Sequence, residues 1–414
     1  MAQVKFRKKS NVRKVIFNPM ATRNNTADLS AAASGRVQSL HIFLRNSDGA
    51  VKIRTNYNSG LNDRDYEPTG LTNADVTKLY GELNCHFQSL KINGDSENLR
   101  KLIAQESWYL YDKLVPDDDK LRIAELHSQY LVEEAALGKD AVLRPFSILV
   151  KAHGVTIPWE LLYIENPWDD DKNEPIYDER YFLGYWALIQ QDITSDKDTS
   201  LKLREFGEHG IKIFFDHNLE VARDVESPGI KAMFEKSGFK SDIAQKLVSD
   251  DQTDAFIREL MRAPGCIVHM ACHSSNLSDE KSQQYICINE NYILKEAEIR
   301  LNQTRITGKP LLFLNSCEMA LVRPDSYCQF LNYFFERGFS AIIATEIEIT
   351  DEAAWEFAKL VYTEFLQEQS ATFDVAIFNA RRAILNKNKS LIGFTYSYYG
   401  LGNLLRPKIA KEAA

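Results

Sequence analysis

The chain has 414 residues, 44% hydrophobic and 26% charged, the balance of an ordinary soluble globular protein with room for one large α/β domain and an extension. Its net charge of −8 argues against a surface built to coat nucleic acid, no apolar run reaches the roughly 18 residues of a membrane span, and the N-terminus lacks the apolar core of a secretory signal. Six cysteines in so long a chain are not a disulfide framework, so a cytoplasmic location with free thiols is expected.

Residues 1–36 carry eight Lys and Arg against the single acid Asp28, and 22–36 are rich in Asn, Thr, Ala and Ser without a period. They read as a basic flexible tail, although Val15-Ile16-Phe17 offers an added edge strand instead. Residues 38–44 alternate like a strand, Asp48-Gly49 marks a hairpin turn, and 50–57 return. Thr72-Asn73 caps a helix towards Ser89 with Val76, Leu79, Tyr80 and Leu83 on one face, so that 37–90 form a hairpin and helix packed on the core domain of 91–407. A helix over 99–114 stops at Val115-Pro116, and Asp119 is expected to cap the next one. A strand over 146–151 follows, with Trp159, Leu161 and Leu162 assigned to the core. Pro167 to Glu174 is a charged surface loop that lacks the Gly and spaced ligands of a calcium site.

Residues 211–216 form a further strand. Pro228-Gly229 breaks the chain ahead of a helix over 230–237, and 241–263 read as an amphipathic helix before Pro264-Gly265. Residues 341–345 are a strand; 328–337, 355–367 and 374–386 are helices. Strands alternating with helices predict a mostly parallel sheet with helices on both faces.

Two stretches organise the remainder. Cys266-Ile267-Val268-His269-Met270-Ala271-Cys272-His273-Ser274 and Leu311-Leu312-Phe313-Leu314-Asn315-Ser316-Cys317-Glu318 are short apolar runs that end in reactive side chains. Such runs are strands buried on both faces, and chemistry gathers past their carboxyl ends. His273 and Cys317 are therefore expected side by side, a base and a nucleophile. A hairpin and a helix fit between them, over 285–300. His269 shares the strand face of His273 and is expected to be structural or to orient the site. Zinc is disfavoured: adjacent Cys272 and His273 point to opposite faces, and zinc sites use two spaced pairs. No metal or cofactor is expected, and no Gly-rich phosphate loop is present.

These two blocks resemble the signatures of the CHAT domain, a caspase-like cysteine peptidase family related to caspases, separase and gingipains. Ile157-Pro158-Trp159-Glu160-Leu161-Leu162 resembles the family's "PWELL" segment, Thr350-Asp351-Glu352-Ala353-Ala354 its "DEAA" helix start, and Tyr398-Tyr399-Gly400 its closing "YG". The resemblance implies a His273–Cys317 dyad, an oxyanion held by the backbone N–H groups of Ser274 and Cys317, and a specific protein substrate. It also implies a bacterial immune or cell-death (anti-phage) setting and an upstream sensor or regulatory partner; a catalytically silent scaffold is the alternative. Ser274 departs from the family's usual Gly: it keeps the N–H but tolerates a left-handed backbone poorly. In separase an Asp in the similar strand-to-helix segment meets a basic substrate residue, and Asp351 matches that place. Thr350 or Asp351 serving only as the helix cap is the other reading.

Overall fold

The apolar runs pair into one twisted sheet because each leaves backbone groups that only a neighbouring strand can satisfy once water is excluded. The structure, a computed structural model, describes residues 39–47, 50–57, 67–87, 89–136, 145–153, 155–169, 174–175, 177–194, 202–206, 210–216, 218–243, 267–276, 284–289, 292–295, 306, 308–316, 324–346, 349–367 and 372–405. The tail at 1–36, the helix expected near 298–300 and Cys317 lie outside these residues.

The expected hairpin is β1 (Ser39–Ser47) and β2 (Ala50–Tyr57), closed at Ser47↔Ala50, and β3 (Glu67–Thr72) adds to it. Helix α1 (Asn73–Phe87) starts where expected: the Thr72 hydroxyl accepts from the Asp75 N–H while the Asp75 carboxylate accepts from the Thr72 N–H, a reciprocal cap. Helix α2 (Glu97–Leu114) is capped by Ser96. Helix α3 (Asp117–Ala136) begins directly after Pro116, which corrects the expected start: Asp119 is a buried residue of the first turn, not the cap.

Strand β4 (Phe146–His153) pairs in parallel with β1, which places the hairpin in the main sheet. Trp159, Leu161 and Leu162 are fully buried, as expected. So is Glu160, which accepts from Arg381 Nη2 at 2.9 Å and from Ser397 Oγ at 2.8 Å. Burial pushes the Glu160 carboxyl up and the Arg381 guanidinium down, and each opposes the other's shift. Strand β5 (Ala187–Asp192) was not expected; its Gln190, Gln191 and Asp192 are polar yet buried, which hides it in the sequence.

Strand β6 (Ile211–Phe215) is followed by a helical stretch that contains a π turn, Ala222–Glu226, and continues as α4 (Ser227–Lys236). Pro228 lies inside this continuous helical stretch, just after the π turn, so Pro228-Gly229 does not break the chain. Residues 241–243 are strand β7 (Ser241–Ile243) rather than the start of a helix. The rest of that expected helix lies outside the described residues.

The expected central strands are β8 (Ile267–Asn276), β11 (Leu311–Ser316) and β12 (Ala341–Thr345); between them lies the hairpin β9 (Gln284–Asn289) and β10 (Tyr292–Lys295). Helices α5 (Pro324–Arg337), α6 (Asp351–Leu366) and α7 (Phe373–Asn388) precede a short strand, β13 (Tyr396–Tyr399). Gly400 after it has φ of +92°, and a Cβ there would sit 2.9 Å from the Ser340 carbonyl oxygen, so the "YG" turn requires glycine.

Among the described residues the sheet has 13 strands, in the order β7-β6-β8-β11-β12-β13-β5-β4-β1-β2-β3, with β9 and β10 extending from β8. Strands β7, β6, β8, β11 and β12 are parallel to one another. Strands β13, β5, β4 and β1 form a second parallel block, and the blocks meet antiparallel at β12 and β13. Every residue from Ile267 to Cys272, Leu311 to Asn315 and Ala341 to Thr345 is buried, so both faces of the centre are covered.

Candidate active site

Strands β8 and β11 are parallel neighbours, paired residue for residue from Ile267↔Leu311 to Cys272↔Ser316. Beyond that pair β8 does not end but changes partner. From His273↔Cys287 to Asn276↔Gln284 it runs antiparallel to β9. His273 therefore marks the point where β8 leaves the parallel block. Ser274 is paired with Ile286 inside this extension, so the chain there is a strand and has no need of a left-handed glycine.

Just below this edge lies a buried chain of polar groups. Glu226 Oε1 accepts from His269 Nε2 at 2.9 Å and from Asn315 Nδ2 at 2.7 Å. His269 Nδ1 meets the Tyr362 hydroxyl at 2.8 Å, and the Tyr396 hydroxyl donates to Asn315 Oδ1. All five residues are buried; Glu226 is 2% exposed, a depth at which a carboxylate needs strong donors. Burial, with the Glu226 charge adding to it, holds the Tyr362 phenol well above its ordinary value, so it keeps its proton. The Glu226 carboxylate only accepts, so Nε2 carries the proton of that contact, and in the neutral imidazole Nδ1 is the acceptor for the Tyr362 hydroxyl. His269, expected to be structural or orienting, thus joins β8 to α6 and to the π turn. Glu226, Tyr362 and Tyr396 carried no signal in the sequence, because their partners come from distant elements.

The strand-to-helix segment after β12 lies at the same edge. Glu346 is buried there and accepts from Gln191 Nε2 and from the Tyr399 hydroxyl. Thr350 is the N-cap of α6, with its hydroxyl accepting from the Ala353 N–H at 3.3 Å. Asp351 is the first helical residue, partly buried, and is not the cap. Among the described residues no cluster of three or more His, Cys, Asp or Glu is placed to hold a metal ion, and no helix is long and apolar enough to cross a membrane.

This arrangement of parallel strands and covering helices is a caspase-like α/β fold. The structure of separase in the Saccharomyces cerevisiae separase–securin complex matches it with a TM-score of 0.50 at 11% identity, over 89% of this chain and 30% of that one. The Porphyromonas gingivalis RgpB pro- and mature domains align with a TM-score of 0.40 at 10% identity, over 73% of this chain and 75% of that one. The CHAT domain profile matches residues 114–398, more than half of the chain, and the chain belongs to that caspase-like cysteine peptidase family. A probable protease of Vitiosangium sp. (strain GDMCC 1.1324) is 26% identical over 153 residues, which make up 35% of this chain. The matched part is 20% of the length of that curated relative.

Proposed function

We propose that the protein is a cysteine endopeptidase with His273 and Cys317 as its dyad. The observation that carries this reading is the register of β8 and β11, parallel neighbours through Cys272↔Ser316, since His273 and Cys317 are the residues that follow this last pair in the sequence. Membership of a peptidase family and likeness to a probable protease support it.

In this mechanism the Cys317 thiolate, paired with the His273 imidazolium, attacks the scissile carbonyl carbon. The oxyanion is held by the backbone N–H groups of Ser274 and Cys317, each worth about 2.7–4 kcal/mol where such a donor has been removed. The carbon–nitrogen bond breaks as His273 gives its proton to the leaving amine. Water, deprotonated by His273, then releases the acyl group and restores the thiol. Asp351, next to the Thr350 cap in the first turn of α6, serves as the carboxylate that receives a basic residue before the cut.

The substrate in this reading is a specific protein met in the cytoplasm, in a bacterial immune or cell-death (anti-phage) pathway, with an upstream sensor that switches the enzyme on. A protein partner fits the separase likeness, since that structure is a complex with securin. The test is a comparison of new protein N-termini in cells with the wild-type chain and its variants. Cys317→Ala and His273→Ala should each remove the same cleavage products, with the double variant no worse than either. Products that persist in Cys317→Ala overturn the proposal.

A further inference from the structure

The buried chain Tyr362–His269–Glu226–Asn315–Tyr396 lies directly beneath the strand ends on which the peptidase reading rests. We propose that Glu226 is a positioning residue of that site: by holding His269 and Asn315 at once, its carboxylate fixes β8 against β11 and with it the separation of His273 from Cys317. This inference rests on the dyad reading above.

Three observations carry it. His269 is four residues before His273 within β8, so strand alternation sets the two on one face, and Asn315 is the last residue but one of β11, two before Cys317 in the sequence. A displacement at the lower pair is passed along β8 to His273 and along β11 to Ser316, the residue before Cys317. Second, Glu226 reaches the interior from a π turn, an irregularity that recurs at functional sites. One oxygen of it joins the two strands, at 2.9 and 2.7 Å. Third, both ends of the chain are anchored by buried phenols from other elements, Tyr362 on α6 and Tyr396 on β13, which orient His269 and Asn315. Apolar side chains would pack these strands equally well. A fully satisfied polar chain selects one register among the alternatives.

The experiment labels the full chain with iodoacetamide over a range of pH and follows Cys317 by mass spectrometry. Cys85, an exposed free thiol on α1, is the internal reference. A Cys317 paired with His273 labels faster than Cys85 below neutral pH, because the imidazolium maintains the thiolate. Glu226→Ala and Asn315→Leu are expected to slow this labelling about ten-fold or more and to move its pH profile towards that of Cys85. Glu226→Gln, whose amide oxygen still accepts from both donors, keeps most of the rate. Melting temperatures measured alongside show that each variant is folded at the labelling temperature. Should Glu226→Ala fail to fold, Glu226→Asp makes the same comparison with a carboxylate one methylene short of its donors. Wild-type labelling in a folded Glu226→Ala or Glu226→Asp chain overturns the inference and leaves the dyad standing, as does a loss in Glu226→Gln equal to that in Glu226→Ala. Wild-type Cys317 that labels no faster than Cys85 overturns the dyad itself.

Discussion

Thr350 and Asp351 show how neighbouring residues divide two tasks that the sequence leaves to either. The Thr350 hydroxyl caps α6, so Thr350→Ala should cost about 1 kcal/mol of stability. Asp351 in the first turn adds a favourable interaction with the helix dipole, about 0.3–1 kcal/mol. Asp351→Ala leaves the Thr350 cap in place, and melting temperatures measured alongside separate its effect on the fold from its effect on specificity. With the substrate-binding role proposed for it, peptide libraries should show Arg or Lys before the cut, and Asp351→Ala should lose that preference. A wild-type preference for an apolar or acidic residue ends the idea. At this scale the sequence told a good deal. His273 and Cys317 stand out because each follows an apolar run, and His269 because of its spacing from His273. Glu226 did not stand out, since nothing in Ala222-Arg223-Asp224-Val225-Glu226 distinguishes the acid that turns inward from Asp224, which pairs with Arg223 at the surface.

Among the elements, strands of uniform apolar character were legible and those with buried polar groups or few residues were not. Strand β5 ends Gln190-Gln191-Asp192, β3 contains Pro68 and Gly70, and β13 has four residues; none carries a period to read. Their pairing is decided by the sheet around them. Helix α3 was legible, but the tertiary setting of its polar residues was not. His127 on α3 is buried against Tyr181 and Trp186, with its Nε2–H donating to the Arg180 carbonyl oxygen at 2.9 Å. Burial holds it below its ordinary value of about 6.5, and the Asp178 and Glu134 carboxylates act the other way without cancelling the shift. The folded state then binds fewer protons than the unfolded chain from that value downwards, so stability is lost as pH falls through the window. Melting temperature should decline from about pH 6.5 towards the folded-state value, and His127→Gln should flatten that slope. Equal slopes in the two proteins would remove His127 from the account.

For the molecule as a whole, the sequence led to a mostly parallel sheet but not to its division into two blocks of opposite direction, because strand direction leaves no mark on composition. The hairpin expected to pack on the core is part of the sheet through β1 and β4. The proposal that residues 1–36 are a tail outside this core has a direct consequence. Their deletion should leave the melting temperature nearly unchanged, since a solvated basic segment buries little. A large fall would show that Val15-Ile16-Phe17 completes a sheet edge.

The place of β13 bears on how the protein is made. This strand, among the last of the described residues, is inserted between β12 and β5 and is what joins the two blocks. A ribosome adds about 5–20 residues per second, so seconds pass between the emergence of the Cys317 segment and that of Tyr396. Until then the sheet is open along its middle, and Asn315 lacks the phenol that anchors it. On the proposed dyad reading, a chain not yet made as far as Tyr396 is expected to lack the assembled site.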